Sequence, residues 1–205
     1  VAPFGCAFQT GAGAVLGTLD VPAGSALAVF GCGAVGGGAI LAAVIAGCSV
    51  IIAVDRNAAR LALARELGAT DTVEATGLDL VEAIRRISPH GVDFALETTG
   101  VPEVLRSCVD CLTPLGTAGV IGAPPFGSEV TLDVNTILTG GRAVRGIVEG
   151  DSVPQAFIPE LIRYWEQGRF PVELLIRHYD FDQINEAARD AEEGRVVKPV
   201  LRMAA

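Results

Sequence analysis

From Val21 to Val54 the chain carries no Asp, Glu, Lys or Arg, and seven glycines fall inside that stretch. A run of this length without charge belongs either in a bilayer or in a protein interior, because only there is the missing water no loss. The glycines favour the interior. A membrane helix needs about 20 continuous apolar residues, whereas Gly31-Cys32-Gly33-Ala34-Val35-Gly36 is a turn signature set between two apolar runs. The stretch is therefore read as a buried strand over Ala26–Phe30, a glycine turn, a buried helix over Ala34–Ala46 and a second buried strand over Val50–Val54. Strands that are apolar at every position are those covered on both faces of a parallel sheet.

The remainder repeats the same alternation. Asn57 is placed to cap a helix over Ala58–Leu67, and Gly68 to stop it. A short strand is expected near Thr72-Val73, then a helix over Leu78–Ile87 with Leu80, Val81, Ile84 and Ile87 at helical spacing. Val92–Leu96 is a strand, Val101–Leu112 a helix and Ala118–Ile121 a strand; ahead of them all, Phe8–Leu19 forms a lead-in helix. Strand and helix in strict succession specify a doubly wound α/β sheet. Beyond Pro124-Pro125 the pattern loosens. Val130–Leu132 is strand-like, Asn135–Leu138 intervenes, and Ala143–Ile147 is a further strand. Ser152-Val153-Pro154-Gln155 has the pattern of a capping box opening a helix to about Glu166. Asp182 is expected to begin a last helix with Ile184, Ala187, Ala188 and Ala191 on one face, and a strand around Val200-Leu201 closes the chain.

With 205 residues, half of them hydrophobic, one well-buried domain is expected. The net charge of −9 repels phosphate backbones and anionic lipid, so nucleic acid and membrane are poor partners. Five irregularly spaced cysteines (6, 32, 48, 108 and 111) do not make a disulfide framework and point to reduced thiols in a cytoplasm. The start at Val1-Ala2-Pro3, with neither initiator Met nor signal peptide, is read as a start inside a longer protein.

Gly31, Gly33 and Gly36 stand as G-x-G-x-x-G after a strand and at the opening of a helix. The first allows a tight turn, the second lets a pyrophosphate reach bare backbone, and the third lets helix pack on strand; the helix N-terminus supplies free amides. In a chain with 25 glycines this pattern is weak alone. Asp55 strengthens it, because an acid at the end of the second strand can accept both ribose hydroxyls of an adenosine. The expectation is a Rossmann-type dinucleotide-binding domain, six strands, mostly parallel, with helices on both faces. The same carboxylate repels a 2′-phosphate, which favours NAD over NADP; Arg56 beside it is the feature that can hold such a phosphate.

Other reactive side chains say less. Cys6 is a lone thiol before a helix. Cys108 and Cys111 have C-x-x-C spacing inside a predicted helix and are read as packed residues, and His90 and His178 as surface ones. Neither a serine-nucleophile elbow nor a P-loop is present. Lys198 is the sole lysine.

As an ordered set, Gly5-Cys6-Ala7-Phe8-Gln9-Thr10-Gly11, the glycine fingerprint, Val54-Asp55-Arg56-Asn57, Gly91-Val92-Asp93-Phe94, Val120-Ile121-Gly122-Ala123-Pro124-Pro125 and Val197-Lys198-Pro199-Val200-Leu201 resemble the zinc-dependent medium-chain alcohol dehydrogenases. The resemblance implies that Cys6 is one ligand of a catalytic zinc in the intact enzyme. It implies that Thr10 and Val35 lie beside the nicotinamide, and that Thr98, Thr99 and Ala123 present backbone there. Arg60 would touch the adenosine ribose and Lys198 the pyrophosphate, while Ala34 belongs to the fingerprint turn. The family's N-terminal barrel-like domain, with the other zinc ligands and most of the substrate pocket, would lie before Val1. Val148-Glu149-Gly150-Asp151-Ser152 and Gly168-Arg169-Phe170-Pro171 are similar to aryl-alcohol dehydrogenases, implying primary aromatic or allylic alcohols as substrates. Residues 143–147 would pair edge to edge in a homodimer or a dimer of dimers. Two alternatives stay open: a zinc-free quinone or enone reductase, and a non-catalytic NAD(H)-binding module.

Overall fold

The structure is a computed structural model and describes residues 2–203. Its elements follow in chain order: α1 (Ala7–Gly13), β1 (Ala26–Phe30), α2 (Ala34–Ala46), β2 (Val50–Asp55), α3 (Ala58–Glu66), β3 (Asp71–Glu74), α4 (Leu80–Ile87), β4 (Val92–Glu97), α5 (Pro102–Asp110), β5 (Leu112–Val120), α6 (Val134–Gly140), β6 (Ala143–Gly146), α7 (Pro154–Glu166), β7 (Ile176–Asp180), α8 (Ile184–Glu192) and β8 (Lys198–Arg202). Six strands form one sheet in the order β3-β2-β1-β4-β5-β6, and every pairing in it is parallel. The order reverses between β1 and β4, where an open α/β sheet leaves a crevice at the carboxyl ends of its strands. The expected Rossmann-type sheet is thus present.

Alternation of strand and helix covers both faces with apolar side chains. One core gathers Phe4, Phe8, Leu27, Val29, Ile40, Ile51, Leu161 and Phe170. The other gathers Phe30, Ile52, Val54, Ile84, Val92, Val109 and Leu112. Phe8 stands edge-on to Phe4 at 5.7 Å and to Phe170 at 6.4 Å, fixing α1 against the segment after α7. The apolar stretch that opened the sequence question is therefore interior. Among the described residues no helix is long and apolar enough to cross a membrane. Small residues in α2 serve close packing: a Cβ on Gly37 would meet Leu175 at 2.7 Å, and one on Gly11 in α1 would stand 2.0 Å from the Val35 carbonyl.

Caps decide several boundaries. Asn57 accepts from the amides of Ala59 and Arg60, as expected. Asp79 caps α4, so that helix opens at Leu80, two residues later than predicted. Helix α1 begins at Ala7 and passes into a wider turn over Ala14–Thr18. The anticipated capping box at Ser152 is not formed. Helix α7 starts at Pro154 with Val153 as its cap and no side-chain bond, because the Ser152 hydroxyl donates back to the Glu149 carbonyl. Nor does Asp182 begin the last helix. Asp180 and Gln183 cap a 3-10 turn that feeds α8, and α8 buries Ala187 and Asp190 while Ile184 is exposed.

Two strand expectations also need correction. Val130–Leu132 is irregular, not strand, because β6 already occupies the edge of β5 and leaves no backbone partner there. Conversely Ile176–Asp180, unassigned from sequence, is strand β7, which pairs in parallel with β8 as a separate two-stranded sheet. Its alternation was hidden by a burial pattern in which only Tyr179 is buried.

Candidate functional site

The fingerprint glycines sit where β1 turns into α2. Gly31 has φ +94°, a left-handed conformation, and its amide donates to the Val54 carbonyl at 2.8 Å. A Cβ on Gly36 would stand 1.8 Å from the Gly31 carbonyl oxygen, so helix and turn touch through backbone alone. A Cβ on Gly33 would meet nothing within 4 Å. Gly33 is also the N-cap of α2 and brings no side chain to cap it. The first-turn amides of Ala34, Val35 and Gly36 thus stay available to an anionic ligand, with the positive end of the helix dipole behind them.

Asp55 ends β2 and is largely buried, with 8% of its surface exposed. Its carboxylate accepts from the Cys32 amide at 2.7 Å and the Asn57 amide at 2.9 Å, tying the glycine turn to the second strand. Each oxygen retains a lone pair beyond those bonds. Asp55 lines a cleft of about 500 Å³ together with Gly31, Gly33, Arg56, Arg60 and Thr98. Arg60 projects into it from α3, and its Nε is buried without a partner. A buried, unpaired guanidinium N–H is costly, and a ribose or phosphate oxygen is the group that would satisfy it. The cleft therefore fits an adenosine dinucleotide: open backbone, free amides, an acceptor for a diol and an unpaired donor. Arg56 borders the same cleft and is exposed.

At the far end, Thr98 and Thr99 follow β4. The Thr98 hydroxyl lies 2.8 Å from the Phe30 carbonyl and 3.0 Å from that of Gly31. Ala123 reaches the same loop, since a Cβ on Gly100 would stand 3.2 Å from its backbone. The organiser here is Glu97, which sequence reading passed over. It is 1% exposed, and its carboxylate accepts from the Thr99 amide at 2.6 Å, the Thr99 hydroxyl at 2.5 Å and the Gly100 amide at 3.0 Å. The signal was available: an acid closes the apolar run of β4 as Asp55 closes β2.

Cys6 and Thr10 share one face at the start of α1. The Thr10 hydroxyl donates to the Cys6 carbonyl at 2.8 Å. The Cys6 thiol is exposed and donates to Glu149 at 3.6 Å. Desolvation first, then the Glu149 charge, raise its pKa above the ordinary thiol value, while Lys198 acts in the opposite sense. Lys198 stands at the head of β8, outside the cleft that Asp55 lines. Among the described residues no three His, Cys, Asp or Glu side chains come together as a metal site. Cys6 thus fits zinc only as one member of a set completed by residues elsewhere. Cys108 and Cys111 are buried; burial pushes the Cys111 thiol up to about 12, so both are packed residues, as expected. His90 and His178 are at the surface.

The model of the zinc-binding dehydrogenase family matches residues 34–165. A geraniol dehydrogenase from Castellaniella defragrans is 43% identical over 201 residues, covering 97% of this chain and 54% of that protein. The crystal structure of benzyl alcohol dehydrogenase from Acinetobacter calcoaceticus superposes with a TM-score of 0.96 at 48% identity, over 98% of this chain and 56% of that one. A protein described as a zinc-binding dehydrogenase from Sinorhizobium meliloti 1021, solved with NADP bound, superposes at 0.77 with 28% identity, over 88% of this chain and 54% of that one. The chain spans about half the length of these relatives. With the strand order, the glycine turn and the acid at β2 in place, the chain belongs to the zinc-binding dehydrogenase family, as its cofactor-binding domain.

Proposed function

We propose that this chain is the NAD-binding half of a zinc-dependent alcohol dehydrogenase that oxidises primary aromatic or allylic alcohols to aldehydes. The observation that carries the reading is the Asp55 carboxylate in the wall of the cleft, bonded to the glycine turn, with Arg60, whose Nε is unpaired, lining the same cleft. Asp55 takes the ribose diol, Arg60 adds a donor to the same sugar, and Gly31, Gly33 and the amides of Ala34 to Gly36 hold the pyrophosphate. Lys198 offers its charge to that pyrophosphate. Thr98, Thr99 and Ala123 present backbone to the nicotinamide, with Thr10 and Val35 on its flank, so that one face of the ring is turned to substrate. Bound zinc supplies a Lewis acid that lowers the pKa of the alcohol; Cys6 would be one of its ligands, and the others belong to an N-terminal barrel-like domain. The likeness to geraniol and benzyl alcohol dehydrogenases supports the choice of allylic or aromatic alcohol.

Calorimetry on the full-length enzyme with NAD and NADP tests the cofactor, and NADH formation from benzyl alcohol, geraniol and ethanol tests the substrate class. The expected result is an NAD preference of at least tenfold and turnover of the first two alcohols over ethanol. Equal or tighter NADP binding would transfer the role to exposed Arg56 as a phosphate clamp, as the NADP-bound relative makes plausible.

The assembly is proposed to be a homodimer, alone or as a dimer of dimers, joined through β6. All four residues of that edge strand are exposed, and Val134, Leu138 and Val144 lie exposed beside or on it. An undefended edge of this kind invites a second copy. Light scattering on wild type and Val144→Pro tests it: the proline variant is expected to be monomeric, and a monomeric wild type would refute the dimer. The free thiols of all five cysteines suit a reducing cytoplasm.

A further inference from the structure

Three consecutive residues after β6 have left-handed backbone: Glu149 with φ 51°, Gly150 with φ 68° and Asp151 with φ 48°. Glycine adopts this conformation freely, but Glu and Asp are strained in it. Strain of this kind persists only where neighbours over-determine it, and here they do. Gly150 lies directly on α1, where a Cβ would stand 2.6 Å from the Gln9 carbonyl oxygen and 2.8 Å from the Gly13 Cα. Asp151 accepts from the Val148 amide at 3.3 Å and lies 3.4 Å from the Arg145 guanidinium. Glu149 is turned onto the first turns of α1. It accepts from Gln9 Nε2 at 2.9 Å and from the Cys6 thiol at 3.6 Å, and its Oε2 stands 3.3 Å from the Thr10 hydroxyl. A glycine at 149 would make the turn without strain, so the retained side chain points to a use for the carboxylate.

We propose that Glu149 is a positioning residue of the dehydrogenase reaction, which holds Gln9 and Thr10 together and keeps a negative charge at the nicotinamide end of the cofactor site. The inference rests on the reading above that Cys6 faces the metal and Thr10 the nicotinamide. Oxidised nicotinamide carries a positive charge on its ring, and accepting a hydride from the alcohol carbon removes that charge. A carboxylate nearby therefore favours the oxidised cofactor and weakens the hold on the reduced product. Product release limits turnover in many enzymes, and where it does here a weaker hold on NADH speeds the cycle.

The test uses the full-length enzyme with Glu149→Gln and Glu149→Gly. The glutamine keeps an acceptor for Gln9 and removes the charge; the glycine removes the side chain and relieves the backbone. Dissociation constants for NAD and NADH, kcat, KM and the melting temperature are measured for each. The ratio of the NADH constant to the NAD constant is expected to fall by about 5- to 20-fold in both variants, with kcat reduced. The melting temperature of the glutamine variant, which keeps an acceptor for Gln9, should stay close to wild type. An unchanged ratio overturns the proposal, whether kcat is retained or falls together with the melting temperature, since the second pattern marks a merely structural turn. Wild-type enzyme that binds neither cofactor would remove the functional reading itself, and this inference with it.

Discussion

The carboxyl end of the six-stranded sheet and the small β7–α8–β8 unit both hold buried acids, but satisfy them by different means. Asp55 accepts from one amide of the glycine turn and one of its own turn, and Glu97 from two amides and a hydroxyl of the turn that follows it. Asp190 is held by side chains: the Tyr179 hydroxyl at 2.6 Å, the Arg195 Nε at 2.9 Å and the Arg177 guanidinium at 3.5 Å. The first arrangement shapes backbone and leaves the cleft open for a ligand. The second clamps β7, α8 and the turn after α8 together.

That contrast is broken most severely at Gly36. A Gly36→Ala Cβ has no space against the Gly31 carbonyl, and neither partner is a flexible side chain. We expect a loss of about 3 kcal/mol or more of stability and of dinucleotide binding by at least about 100-fold, or about 2.7 kcal/mol, read by thermal melting and NADH fluorescence. Survival of both would mean that the turn tolerates the opening of helix from strand.

Glu97→Ala comes next. It leaves the Thr99 and Gly100 amides without their acceptor in a part-buried loop, at a cost of about 1–3 kcal/mol, and Glu97→Gln should recover part of it. Weakened NAD binding is expected alongside, because Thr98 and Thr99 line the cleft. A loss of stability with unchanged cofactor affinity would separate Glu97 from the site.

Asp55→Ala removes the acceptor of two amides, one of them the buried Cys32 N–H. A stability loss of about 1–3 kcal/mol is expected, with NAD affinity down by about tenfold or more, about 1.4 kcal/mol, and the preference over NADP erased. Calorimetry with the two cofactors measures this directly. A retained NAD preference would move cofactor selection to another residue.

The smallest effect on the site belongs to Asp190. Hydrogen bonds from Tyr179 and then Arg195 hold its carboxyl below the ordinary aspartate value. A lowered folded-state pKa contributes stability above the unfolded value, and that contribution is lost as pH falls through the folded one. Asp190→Asn should therefore flatten the acid limb of the melting-temperature profile below about pH 4 while NAD affinity near neutrality stays within twofold. A large change in cofactor binding would erase the distinction between the two regions.

The same contrast governs what could be read from residues alone. Val54-Asp55 was legible because a glycine fingerprint stands one strand-helix unit before it and a helix cap two residues after it, a spacing that the fold of a βαβ unit requires. Leu96-Glu97 carried an equivalent signal, but without a glycine fingerprint beside it the acid looked like an ordinary strand end. Strand β7 was invisible, since Ile176–Asp180 turns only Tyr179 inward and its stability comes from Asp190 and Arg195, which lie beyond it in sequence. The strained turn at Glu149 was equally hidden: nothing local says that Glu and Asp will adopt left-handed backbone, and its cause is the docking of Gly150 on a helix some 140 residues earlier.

By itself the sequence determined the alternation of buried strands and helices, the parallel sheet that alternation requires, and the glycine turn with its acid, because each follows from periodicity or from backbone sterics within a few residues. Tertiary structure alone decided that β6 and not residues 130–132 closes the sheet, that β7 and β8 pair apart from it, and that Cys6, Thr10 and Glu149 meet. Those outcomes depend on which distant groups compete for one edge or one acceptor, and that competition is settled only when the chain is folded.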